Sequence, residues 1–107
     1  MQERAVRVVP QRAITVTIES PPRARSYGVV ANISEGGACL LTDGILPLGE
    51  TLSLDLAFFR DPEIVPAVGR VVWSSGNRNV GAVRSGVQWS PGSGNGLREL
   101  IRLAMSS

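Results

Sequence analysis

The sequence predicts a small all-β barrel covered by one C-terminal helix. Two patterns carry that prediction. Short apolar–polar alternations of period two recur from Ile14 to Trp89, broken by Gly, Pro, Asn and Asp. A single stripe of helical period follows at the end of the chain. The length of 107 residues suits one domain and leaves little room for a second. Apolar residues make up 43%, enough for a core, but aromatics are only 5%, so Val, Ile, Leu and Ala must fill most of it.

Each element has its own warrant. Ile14, Val16 and Ile18 alternate with Thr15 and Thr17, a half-buried strand that Ser20-Pro21-Pro22 stops. Residues 27–33 and 38–42 are apolar, β-branched runs and predict the next two strands. Between them lies Asn32-Ile33-Ser34-Glu35-Gly36-Gly37, a tight polar turn with two glycines able to take positive φ. Asp43-Gly44 and Leu46-Pro47-Leu48-Gly49 mark further turns. Leu52, Leu54, Leu56 and Phe58 alternate with Ser53, Asp55 and Ala57, the cleanest strand of the chain. Residues 65–75 predict a long strand, with Pro66 near its start where a missing N–H is tolerated. Residues 80–89 predict the last. Leu97, Leu100, Ile101 and Ala104 then fall at i, i+3, i+4 and i+7, with Asn95 in the place of an N-cap. Six or seven antiparallel strands at such short spacing argue a small barrel, and the helix stripe a lid on its open end.

Composition excludes several functions. With no histidine, neither a Ser-His-Asp or Cys-His nucleophile nor a histidine metal site can be built. One cysteine, Cys39, rules out an internal disulfide and a multi-thiolate site, and its apolar strand predicts a small buried residue. Asp43, Asp55 and Asp61 lack the spacing of paired acid–base carboxylates. The expectation is a binding module and not an enzyme, with no cofactor and no metal. No apolar run approaches the roughly 18–20 residues of a bilayer span, and the N-terminus has no signal-peptide h-region. The expected address is therefore the bacterial cytoplasm, without membrane insertion.

All 11 basic residues are arginine, against 9 acids, for a net charge of +2. Guanidinium holds phosphate and guanine edges with two parallel bonds, which ammonium does not. Arg4, Arg7, Arg12, Arg23 and Arg25 crowd the first 25 residues against Glu3 and Glu19. A weak overall charge with one basic end points to a local anion site; DNA is not an expected partner.

These residues resemble a known family. Asn32-Ile33-Ser34-Glu35-Gly36-Gly37 fits the [Asp/Asn]-x-Ser-x-x-Gly motif of PilZ domains. Gly69-Arg70-Val71-Val72-Trp73 is similar to the family's glycine-x-valine-valine-tryptophan strand, and Gly86-Val87-Gln88-Trp89 to its glycine-valine-glutamine-aromatic strand. An arginine-bearing arm precedes them and a terminal helix follows. The resemblance implies a six-stranded antiparallel barrel with one C-terminal helix over residues 13–107, preceded by a flexible arm, residues 1–12. It also implies a receptor for the second messenger cyclic di-GMP, relaying the signal to an unidentified protein of the motility, pilus or exopolysaccharide machinery.

The implied ligand-binding residues are Arg4, Arg7 and Arg12 of the arm, Asn32, Ser34 and Gly37 of the turn, and Trp73. Arginines clamp phosphates and guanine O6 and N7, Asn32 accepts from a guanine ring edge, and the Ser34 hydroxyl bonds either way. A purely local reading stands beside this one: Asn32 and Ser34 bond their own backbone, Arg12 caps a strand edge or pairs with Glu19, and Trp73 and Trp89 fill the barrel. Of the two tryptophans, Trp73 is the better stacking platform. The arm departs from the family's Arg-x-x-x-Arg pattern. Two residues separate Arg4 from Arg7 and four separate Arg7 from Arg12, and Arg7 takes the second motif position with Glu3 at the first. That spacing favours the alternative of a PilZ-like barrel that binds no nucleotide and acts through protein contacts. A single-strand nucleic-acid binder ranks last, because it would need aromatics interleaved with basic residues.

Overall fold

The computed structural model describes residues 9–10, 12–20, 24–75, 83–91 and 95–105. Six strands, β1 (Ile14–Ser20), β2 (Ala24–Ile33), β3 (Gly37–Thr42), β4 (Thr51–Phe58), β5 (Val65–Ser75) and β6 (Val83–Trp89), precede one helix, α1 (Asn95–Met105). They close into an antiparallel barrel in the order β1-β2-β3-β6-β5-β4, with β4 returning to β1. Closure leaves no sheet edge to be covered.

The predicted alternation fills the interior. Ile14, Val16 and Ile18 of β1 and Leu52, Leu54, Leu56 and Phe58 of β4 point into one core with Leu40, Val71 and Val87. Leu97, Leu100, Ile101 and Ala104 of α1 join the same core, and the helix packs on β5 beside Val65. The helix contains Asn95 as its first residue, so Asn95 is not the cap that the sequence suggested. Pro66 pairs only with Asp55 of β4, before the β5–β6 ladder starts at Gly69↔Trp89, so its missing N–H breaks no β6 bond. Gly49 takes φ 84° in the turn closed by Glu50 N–H donating to the Pro47 carbonyl at 3.2 Å, a conformation that suits glycine. The stretch 80–82 of the expected last strand lies outside the described residues.

Two bulges break the alternation. Register shifts between Val30 and Asn32 on β2 and between Val71 and Trp73 on β5. Each inserts one residue, and one extra residue moves everything beyond it to the opposite face. Val30 and Val71 point into the barrel, so strict alternation would send Asn32 and Trp73 inward as well. The bulges turn both outward, and the one on β2 carries the fully buried Ile33 inward.

Candidate functional site

The bulges bring four residues into one outward row across four strands. Asn32 pairs with Cys39, Cys39 with Gly86, and Gly86 with Trp73. The motif residue and the aromatic residue therefore stand at opposite ends of a row whose middle positions are Cys39 and Gly86. A Cβ at Gly86 would fall inside the Trp73 indole. The absence of a side chain there lets the ring lie flat on the sheet, where it remains 39% exposed. The sequence reading of Trp73 as barrel core is corrected: the bulge at Val72 carries it outside. Trp89 is the buried tryptophan. Cys39 is buried, as its apolar strand predicted, but it alternates with the inward-facing Ala38 and Leu40 and so belongs to this outward row.

The turn at one end of the row is held from within and from below. The buried Ser34 hydroxyl accepts from the N–H groups of Gly36 (3.2 Å) and Gly37 (3.3 Å) and lies 3.3 Å from the Gly37 carbonyl, while Ser34 N–H donates to that carbonyl at 2.8 Å. The local reading of Ser34 is therefore realised: its polar capacity goes into the turn. Beneath it, Trp89 donates twice, from Nε1 to the Ser34 carbonyl (3.0 Å) and from its backbone N–H to the Gly36 carbonyl (3.0 Å). Asn32 is half-buried and has a partner of its own.

Gly37 does not take the positive φ that its glycine backbone allows. Among the described glycines only Gly49 has positive φ. At Gly37 the requirement is close approach, because a Cβ there would run into the Val87 carbonyl of β6. The motif glycine thus lets β3 and β6 come together at the turn.

The arm is described only in part. Arg4 and Arg7 lie outside the described residues. Arg12 is exposed just before β1 and lies over the Phe58 ring, 4.5 Å from its centroid. It does not pair with Glu19, which bonds Arg25 across the β1–β2 ladder at 2.8 Å. That hydrogen bond raises the Arg25 pKa. Helix α1 reaches the motif turn through Arg98, whose Nε lies 3.8 Å from Glu35 Oε1, both side chains exposed.

Sequence reasoning missed two anchors: Gly86, whose bare backbone seats Trp73, and Trp89, whose indole N–H holds the turn. The signal for both was Gly86-Val87-Gln88-Trp89, but a short motif does not say which residues face each other across a barrel. No helix among the described residues is long and apolar enough to cross a membrane.

Similar architecture occurs in solved structures. The PilZ domain of YcgR from Escherichia coli, determined with c-di-GMP, superposes with TM-score 0.75 at 13% identity, over 99% of this chain and 91% of that one. Escherichia coli YcgR in complex with c-di-GMP gives TM-score 0.75 at 14% identity over 98% of this chain and 45% of that one. The Bacillus subtilis inhibitor of motility, MotI/DgrA, gives 0.70 at 17% identity over 98% of this chain. The chain spans about half the length of that inhibitor (50%). No curated protein matches the chain. The profile of the PilZ domain matches residues 2–106, nearly the whole sequence. With the closed barrel, the C-terminal helix and the Asn32–Gly37 turn already in place, this match establishes that the chain belongs to the PilZ domain family.

Proposed function

We propose that this protein is a cyclic di-GMP receptor domain that relays the nucleotide signal to a partner protein and performs no catalysis. PilZ domains are binding modules, and two of the solved structures similar to this chain were determined with c-di-GMP. The observation that carries the proposal is the outward row that has Asn32 at one end and the exposed Trp73 indole, seated over Gly86, at the other. A planar surface beside an amide suits a guanine, which stacks on the first and bonds the second along its edge. The arm, ending at Arg12, would bring Arg4 and Arg7 to the phosphates.

Calorimetric titration with cyclic di-GMP, with cyclic di-AMP and GTP as controls, tests this reading. Selective binding of cyclic di-GMP is the expected result. A flat titration at tens of micromolar protein overturns it, and equal affinity for cyclic di-AMP overturns the guanine-edge assignment. One observation favours a second reading, a barrel that works through protein contacts alone: no two arm arginines are separated by three residues. That reading predicts the flat titration.

A further inference from the structure

Seven arginines lie among the described residues, and five of them are engaged. Arg12 and Arg60 lie over the Phe58 and Phe59 rings, and Arg25, Arg98 and Arg102 pair with Glu19, Glu35 and Glu99. The remaining two, Arg70 and Arg84, are exposed and have no side-chain partner among the described residues. Both flank Trp73. On β6 the outward positions run Arg84, Gly86, Gln88, and Gly86 is the one that seats the indole. Arg84 thus stands one outward row to one side of the ring. Arg70, paired with Gln88, stands one row to the other side. At about 3.3 Å of rise per residue, each row is about 6.6 Å from the row of the indole, within reach of an arginine side chain. No acidic residue occupies either flanking row, which run Gly37-Gln88-Arg70-Thr51 and Val29-Leu41-Arg84-Ser75.

We propose that Arg70 and Arg84 are the wall arginines of the nucleotide site, holding the two phosphates of a cyclic dinucleotide stacked on Trp73. The proposal rests on the receptor reading above and extends it to two residues outside the family motif. Two guanidiniums without a side-chain partner among the described residues, either side of an exposed ring, present charge where a stacked dinucleotide carries its phosphodiesters. Because they stand on paired strands, little ordering is needed on binding. They supply cationic contacts that the off-register arm spacing leaves short.

The test is calorimetric titration of cyclic di-GMP into the full chain and its R70A, R84A, R70A/R84A and R102A variants, at two salt concentrations. R70A and R84A are each expected to weaken binding about tenfold or more, as for loss of a charge-assisted hydrogen bond. The double variant should also show a shallower salt dependence, and R102A should bind as the parent does. Parent-like affinity and salt slope in R70A/R84A overturn the proposal and leave the receptor reading standing. An equal loss in R102A also overturns it, since any surface charge would then serve. A parent chain that does not bind overturns the receptor reading and this proposal together. If R70A/R84A does not give a folded melting transition, R70Q/R84Q carries the same comparison with the same outcomes.

Discussion

Ser34 shows how one side chain shapes the site without exposing itself. Its hydroxyl receives two backbone N–H groups of the turn and is only 7% exposed. Ser34→Ala leaves both N–H groups without that acceptor, and the expected loss in thermal or urea unfolding is about 1–3 kcal/mol. Asn32 stands two residues earlier on the outer face. On the receptor reading, Asn32→Ala weakens cyclic di-GMP binding about tenfold or more and changes stability by less than Ser34→Ala does. Unfolding and titration of the same two variants separate support of the turn from contact with ligand; a larger stability loss in Asn32→Ala would reverse these roles. Gly37→Ala should be the most damaging of the three, because the Val87 carbonyl stands where the new methyl group would go.

At the scale of the element, the β5–β6 ribbon decides what the site looks like. A methyl group at Gly86 displaces the Trp73 indole from the sheet. Gly86→Ala is expected to shift the tryptophan fluorescence and, on the receptor reading, to weaken nucleotide binding; an unchanged spectrum would mean the ring does not depend on that seat. Helix α1 carries the clearest pH dependence. The hydrogen bond from Arg102 holds the Glu99 carboxyl below its ordinary value of 4.5. A carboxyl depressed in the folded state stabilises above its unfolded pKa, and that contribution fades as pH falls through the folded one. Acid titration followed by helix circular dichroism should therefore show α1 weakening below about pH 4.5 in the parent. Glu99→Gln should remove that component of the profile. Both side chains are well exposed, so the effect is small and salt reduces it.

The whole molecule is a single closed sheet around one core, so its stability is cooperative. Leu56 is fully buried in β4, and Leu56→Ala is expected to cost about 2–5 kcal/mol. That is a large share of the roughly 5–15 kcal/mol of a small domain. Chemical denaturation followed by circular dichroism and by tryptophan fluorescence should report one coincident transition, displaced together in the variant. On the receptor reading, ligand acts on the same equilibrium in the opposite direction. Cyclic di-GMP at a hundredfold excess over its Kd should raise stability by about 2.7 kcal/mol, read as a higher Tm. Cyclic di-AMP should leave the Tm near its ligand-free value.

Local pattern was enough for most of this architecture. Period-two runs such as Leu52-Leu54-Leu56-Phe58 announce strands because a half-buried strand must alternate, and the stripe from Leu97 to Ala104 announces a helix for the same kind of reason. The Asn32–Gly37 turn was legible because its residues follow one another in the chain. The two faces of the site were not. Alternation says which residues share a face only while the register is unbroken, and the bulges at Ala31 and Val72 break it on both strands that matter. Whether Trp73 or Trp89 is outside, and which arginines stand beside the exposed ring, depends on pairings between residues far apart in the chain. Gly37 and Gly86 look alike in the sequence, as residues of permissive backbone. Their separate tasks, admitting the Val87 carbonyl and seating an indole, exist only once β3, β6 and β5 lie side by side in the closed barrel.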